Sequence, residues 1–296
     1  MTHNALGDSG LRVSEIGFGC MSLPEDDTAA SRILERALEL GVTFFDTADL
    51  YQHGRNERTV GAVLKDMREQ VVLASKVGNR WNPDGKSWRW DASPAWIKEG
   101  VYRSLERLQT DYLDLYQLHG GTLEDDLAAS FTAFEELRRE GVIRTYGISS
   151  IRPNVIRQVV ALGITSNMMQ YSLLDRRPEE AALEVLADHG VSVVARGPVA
   201  KGLLAGKPAA EYLGHSAAEV AAVQQVLAEI STPERTAAQL ALRFALSQPA
   251  VATVIPGASS AEQLEENVGA AQVSLTETEL VRLREAAPRT TYQQHR

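Results

Sequence analysis

At 296 residues, with 44% hydrophobic and 23% charged residues, the chain is long enough for one large barrel core or two ordinary domains, and its composition excludes a disordered or fibrous protein. The formal net charge of −9 and pI near 5.3 argue against a nucleic-acid or anionic-membrane surface, since both require a basic footprint. The single cysteine, Cys20, cannot close an internal disulfide, no run of about 18 apolar residues occurs, and the first residues lack a signal-peptide core, so a cytoplasmic chain with no membrane or nucleic-acid partner is expected.

In chain order, "HNALGDSGLRVS" reads as a β-hairpin turning at "GDSG" and placed to plug the N-terminal end of a barrel. Eight β-like runs follow: "SEIGFGC" (14–20), "VTFFD" (42–46), "QVVLASK" (70–76), "YLDLYQLH" (112–119), "VIRTYGIS" (142–149), "SNMMQ" (166–170), "VSVVAR" (191–196) and "VATVIPG" (251–257). Amphipathic segments such as "TAASRILERALELG", "SPAWIKEGVYRSLERLQ", "LEDDLAASFTAFEELRREG" and "PEEAALEVLADHG" separate them, with apolar positions three or four apart. The longest gap, 206–248, must hold a loop besides its helices. After the eighth run, "SSAEQLEENVGA" and "TETELVRLREAA" read as two further helices. The alternation predicts an α/β fold, a closed (β/α)8 TIM barrel with an N-terminal β-hairpin and extra C-terminal helices, in a single domain over 1–296.

Almost every run closes in a polar group: Cys20 with Met21, Asp46, Lys76, His119, Ser149 with Ser150, Gln170, Arg196, and Gly257 with Ser259. Parallel barrel strands gather their C-terminal ends on one face, so Asp46, Lys76 and His119 are expected to converge, with Tyr51 joining from the loop after Asp46. An ammonium beside a phenol lowers its pKa, which gives Lys76 a role toward Tyr51. Asp46 is the carboxylate available to keep Lys76 charged out of water, and His119 suits a hydrogen bond to a substrate oxygen. Taken singly, Asp46 reads first as a helix cap or turn residue, Lys76 equally as a site or a rim residue, and His119 first as a satisfied polar group; their joint placement favours a site. Such a set donates a proton to a carbonyl oxygen and contains no reductant, so a cofactor must supply one. A metal-dependent hydrolase would need several ligands at strand ends, and only His119 of the six histidines stands there.

The segments "FFDTADLYQHGRNERTVG", "LASKVG" and "DLYQLH" resemble the catalytic segments of the aldo-keto reductase superfamily, and the likeness runs through most of the chain. The resemblance implies a barrel that uses NADPH without a metal to reduce aldehydes or ketones. Tyr51 would then be the general acid, Lys76 and Asp46 the pair that tunes it, and His119 the group that orients the carbonyl. "YGISS" and "MMQYSLLDR" resemble the nicotinamide segments, implicating Ser149, Ser150 and Gln170, with Cys20 and Met21 counted beside them. "RGPVAKGLLAGK" resembles the pyrophosphate loop and implicates Arg196, Gly197, Pro198, Val199, Ala200 and Lys207. "IPGASSAEQLEENVGA" resembles the adenosine-phosphate segment and implicates Gly257, Ser259, Gln263, Glu266 and Asn267. No GxGxxG turn is present.

Two departures stand out. Arg196 replaces the aromatic residue that usually stacks on the nicotinamide; a guanidinium also stacks, or it turns away to pair with a loop acid. Gly257 and Gln263 stand where many members carry a lysine and an arginine near the 2′-phosphate, a form closer to members resembling potassium-channel β subunits, so NADH use stays open beside NADPH. The loop after Lys76 holds Trp81, Trp88 and Trp90, of which Trp81 and Trp88 are candidate walls for a small-molecule carbonyl substrate. The alternative reading is a nicotinamide-binding regulatory or redox-sensing subunit with slow turnover. Oligomeric state is not legible.

Overall fold

The computed structural model describes residues 1–296. Its strands are β1 (His3–Ala5), β2 (Arg12–Ser14), β3 (Phe18–Gly19), β4 (Phe44–Asp46), β5 (Val72–Val77), β6 (Asn79–Trp81), β7 (Trp88–Trp90), β8 (Leu113–Leu118), β9 (Ile143–Ser149), β10 (Ser166–Gln170), β11 (Ser192–Arg196) and β12 (Val251–Ile255). The helices are α1 (Asp27–Glu39), α2 (Arg55–Leu64), α3 (Pro94–Leu108), α4 (Leu127–Glu140), α5 (Pro153–Val159), α6 (Ala182–Asp188), α7 (Ala217–Ile230), α8 (Ala237–Leu246), α9 (Ala261–Gly269) and α10 (Glu277–Ala286).

Eight strands form one parallel sheet in the order β3-β4-β5-β8-β9-β10-β11-β12, each expected run supplying one of them. The sheet curls into a nearly closed (β/α)8 barrel. Its seam is held by Val254 N–H to the Glu15 carbonyl at 3.0 Å, Gly17 N–H to Val254 at 2.9 Å and Gly19 N–H to Pro256 at 3.2 Å. Glycine is needed at this seam because a Cβ on Gly17 would stand 2.8 Å from the Phe44 ring. Of the 14–20 run only Phe18 and Gly19 pair as a strand with β4, Ile16 bridges singly to Val254, and Ser14 belongs to the hairpin.

Helices wrap the outside and bury one apolar stripe each against the strands, which forms the larger core. The caps follow from sequence: Asp26, Ser93 and Asp126 accept the first free N–H groups of α1, α3 and α4, and Ser216 and Thr236 open α7 and α8 with complete capping boxes. Inside the barrel a second apolar cluster joins Phe44, Val72, Ala74, Leu115, Met168 and Val194 to Leu6 and Val13 of the hairpin. Asn4 donates to the Ala252 carbonyl at 2.8 Å and Gly7 N–H to Ser192 Oγ at 2.8 Å, so the hairpin closes the N-terminal end where the sequence places it.

Two elements lay hidden in what read as loops. Residues 55–64 form α2 directly after the Tyr51 turn, and the tryptophan-rich stretch after Lys76 folds into an antiparallel ribbon, β6 with β7. Asp84 builds the ribbon's turn by accepting the backbone N–H groups of Lys86 and Ser87 at 2.9 and 3.2 Å.

Candidate active site

The two-residue period of a strand positions the site. Phe44, Ala74, Leu115, Met168 and Val194 belong to the interior cluster. The next positions on the same face of their strands are Asp46, Lys76, Gln117, Gln170 and Arg196, at the C-terminal rim. His119 continues that row beyond Gln117, with its backbone N–H held by the Val77 carbonyl at 2.7 Å.

Lys76 is fully buried, and its Nζ donates to Asp46 Oδ2 at 2.7 Å, to the Thr47 carbonyl at 2.7 Å and to the Tyr51 hydroxyl at 3.2 Å. All three ammonium protons are thereby used. Burial opposes the Lys76 charge, but Asp46 and Tyr51 outweigh it and hold the amine above its ordinary range. Burial likewise pushes the Asp46 carboxyl up, against the pull of Lys76 and of a hydrogen bond from Gln117 at 3.5 Å.

The sequence led us to expect a phenol lowered by its neighbouring ammonium. The structure corrects the net direction: burial raises Tyr51 above its ordinary value, and Lys76 and Arg196 only partly offset the rise. Tyr51 is therefore a neutral phenol held against a cation, equipped to give a proton rather than already stripped of one.

A strained turn brings Tyr51 to this place. Gln52 and His53 sit at φ of 48° and 55°, a left-handed pair uncommon for residues with side chains, and Gly54 continues at φ 80°. Gln52 Nε2 fastens the turn to the Leu23 carbonyl at 3.1 Å. Below it, Asn56 accepts from Thr47 Oγ1 at 2.6 Å and donates to the Cys20 carbonyl at 2.8 Å, so the loop after β4 has little freedom.

His119 stands edge-on to Tyr51, ring centroids 6.1 Å apart. Burial, with Lys76 and Arg196 nearby, lowers its pKa to about 3, so the imidazole is neutral at physiological pH and keeps one N–H to donate.

Along the rest of the rim, Gln170 donates to the Tyr212 hydroxyl at 2.7 Å and accepts from Arg196 Nη1 at 3.1 Å. Arg196 thus makes no pair with a loop acid and remains a cation facing the Asp46, Tyr51 and His119 group, whose titration it influences. Ser149 ends β9 at the same rim, whereas Ser150 is buried, with its backbone N–H and C=O bonded to the Asn167 amide at 3.3 and 3.1 Å.

The loop after β11 strings together left-handed residues, Gly197 at φ 62°, Ala200 at 48°, Lys201 at 58° and Gly202 at 92°. Three of these are consecutive, which turns the chain sharply and leaves it as a tight surface loop at the rim. Lys207 Nζ folds back onto the Lys201 carbonyl at 2.8 Å. Ser260 caps α9, Ser259 binds Gln263 Oε1 through N–H and Oγ at 2.9 and 3.1 Å, and Asn267 donates to the Gly257 carbonyl at 3.3 Å. Glu266, half-buried on α9, gives its carbonyl to Gln239. This donor set along one rim suits a long phosphate-bearing cofactor.

Other expected residues flank these groups without a hydrogen bond to Lys76 or Tyr51. The Cys20 thiol is buried in the core and pushed up by that burial, while Met21 is 67% exposed. Trp81 stacks on His53 at 3.8 Å, Trp88 is half exposed on the ribbon, and Trp90 donates to Asp125 at 2.9 Å. Sequence reading passed over Gln117, Thr47 and Asn167. Gln117 was findable, since it follows the inward Leu115 by two and precedes His119 by two. Thr47 acts through its carbonyl, which no side-chain pattern reveals.

The Aldo/keto reductase family model matches residues 15–288. The chain is 50% identical over 307 aligned residues, covering all of both chains, to the oxidoreductase YqkF of Bacillus subtilis (strain 168). It is 29% identical to the aldo-keto reductase yakc of Schizosaccharomyces pombe, named for NADP(+), over 93% of this chain and 88% of that one. Among solved structures it superposes on the holo form of aldo-keto reductase AKR11C1 from Bacillus halodurans with a TM-score of 0.94 at 50% identity, covering 100% of this chain and 99% of that one. On the apo form the TM-score is 0.85 at 47% identity, with the same coverage.

Proposed function

On the premise that the chain belongs to the aldo/keto reductase family and is an NAD(P)H-dependent oxidoreductase, we propose that it reduces small aldehydes or ketones to alcohols with NADPH, using Tyr51 as the proton donor. The observation that carries this reading is the single ammonium, Lys76 Nζ, bonded at once to Asp46 and to the Tyr51 hydroxyl. The reduced nicotinamide, when bound, supplies the hydride that the side chains lack.

The protein's part is to place and charge the carbonyl. Neutral His119 donates a hydrogen bond to the carbonyl oxygen and polarises it. As negative charge develops there, Tyr51 gives up its proton, and the phenolate left behind faces the Lys76 ammonium. Asp46 keeps Lys76 charged at a fully buried position, and Gln117 and the Thr47 carbonyl fix the pair's geometry. In the oxidising direction the same phenolate takes the proton back.

For the cofactor, Ser149, Gln170 and Arg196 would hold the nicotinamide end, the 197–207 loop the pyrophosphate, and Gly257, Ser259, Gln263 and Asn267 the adenosine end. We read 1–296 as one domain and the protein as cytoplasmic; no helix is long and apolar enough to cross a membrane.

Oxidation of NADPH and of NADH, each measured across a panel of aromatic and aliphatic aldehydes and ketones, tests the reading. Rapid NADPH loss with at least one carbonyl supports it. Slow turnover on every carbonyl despite tight NADPH binding would instead favour a regulatory subunit.

A further inference from the structure

A cavity of about 310 Å³ opens on the flank of the barrel between the β6–β7 ribbon and α3, a size at the lower end of small-ligand sites. Neither the Asp46, Tyr51, Lys76 and His119 cluster nor any residue of the cofactor rim lines it. Trp96, Arg103 and Arg107 recur at helical spacing and turn one face of α3 toward it, and the ribbon adds Arg80, Trp81 and Arg89. Two indoles and four guanidiniums therefore border one space.

The guanidiniums differ in what they already hold. Arg107 is paired with buried Glu57 at 2.6 Å, and Arg103 with Glu99. Arg80 reaches Asp91 only at 3.5 Å, and Arg89 donates to the neutral Asn82 amide and to no carboxylate. Arg80 and Arg103 both lie over the Trp96 ring, 4.5 and 5.3 Å from its centroid, so two like charges are gathered at one indole. Arg80 also stands opposite Arg89 in the register of the ribbon, and an anion between those two would offset their like charge.

The polar atoms nearby tell the same story. The indole N–H groups of Trp81 and Trp96 are both buried without a partner in the chain, a state that folded proteins rarely tolerate. The one acid lining the cavity, Asp49, is held toward its neutral form, because burial and the neighbouring Glu57 carboxylate push its carboxyl up to about 8.

We propose that this cavity binds a small aromatic carboxylate, its ring against Trp81 and Trp96 and its carboxylate on Arg80 and Arg89. Guanidinium suits both halves of such a ligand, since it pairs with carboxylate through two N–H groups and stacks on aromatic faces. This is a site for a second ligand beside the carbonyl and the cofactor.

All four tryptophans, Trp81, Trp88, Trp90 and Trp96, lie in the ribbon or at the start of α3, so tryptophan fluorescence reports on the ribbon and its neighbours, and the Arg196 variant below separates the flank cavity from the rim. We expect benzoate, titrated into the full-length protein over the millimolar range, to change that fluorescence saturably. Arg89→Gln, at an exposed position that leaves the fold intact, and Arg80→Gln should each raise the midpoint by about fivefold. Arg196→Ala, which alters the rim instead, should leave it unmoved. The proposal is overturned if benzoate gives no saturable change, if Arg89→Gln leaves the midpoint in place, or if Arg196→Ala moves it. Equal midpoints for acetate, inorganic phosphate and benzoate would overturn the aromatic part.

Discussion

Two adjacent layers of the barrel interior follow opposite rules. Toward the N-terminal end, Leu6 and Val13 seal an apolar layer of Phe44, Ala74, Leu115, Met168 and Val194. Two residues further along the same strands stand Asp46, Lys76, Gln117, Gln170 and Arg196. The lower layer stabilises the fold simply by leaving water. In the upper layer Asp46, Lys76 and Gln117 are buried against the cost of desolvating ions and are held by pairing, while Gln170 and Arg196 are half-buried at the rim. One pleat of one strand thus separates a layer built for stability from a layer built for chemistry.

Breaking the upper layer by halves should have the largest effect on the fold. Lys76→Met leaves the Asp46 carboxylate buried and unpaired, and we expect a loss of about 3–5 kcal/mol in urea unfolding. Asp46→Leu combined with Lys76→Met removes both charges and should recover much of that stability while carbonyl reduction stays lost. Recovery of activity in the double variant would contradict the division between layers.

In the lower layer the opposite pattern is expected. Leu115→Ala opens a cavity and should cost about 2–5 kcal/mol, with kcat per folded molecule unchanged. A large fall in kcat at full folding would show that the two layers are coupled.

His119 sharpens the contrast through pH. The unfolded chain protonates this histidine below its ordinary pKa of 6.5, whereas the folded protein does so only near about 3. Its stabilising contribution is therefore fully present above 6.5 and is lost as pH falls from there toward 3. His119→Asn should flatten the acid limb of stability over that window, measured as urea midpoints at neutral pH and at about pH 5.

The smallest expected effect concerns Arg196. Its charge disfavours an oxidised, cationic nicotinamide more than the neutral reduced one. Arg196→Tyr should tighten NADP+ relative to NADPH by a few-fold in fluorescence titrations, and an unchanged ratio would remove the idea.

The barrel was legible because most strands are compact runs rich in β-branched or aromatic residues, SNMMQ at 166–170 being the exception, and the helices between them repeat apolar residues at helical spacing. α2 escaped because its stretch follows the strained Gln52 and His53 turn and carries half of its buried positions on polar residues, Asn56, Glu57 and Thr59. The ribbon escaped because "WRW" alternation is too short to separate from a loop.

At the site, strand ends named Asp46, Lys76 and His119, since residue type and position suffice there. The net rise in the Tyr51 pKa was not legible, because burial depends on everything packed around the ring. Trp96 was passed over among the apolar positions of α3, although it shares the flank cavity with Trp81.

The most direct test of the central claim is Tyr51→Phe, which removes one hydroxyl and keeps the ring. We measure the NADPH dissociation constant and the single-turnover rate of carbonyl reduction. The account predicts NADPH affinity within about twofold of the parent and a rate lowered by about 10²–10⁴. A variant that binds NADPH normally and keeps the full rate would contradict it.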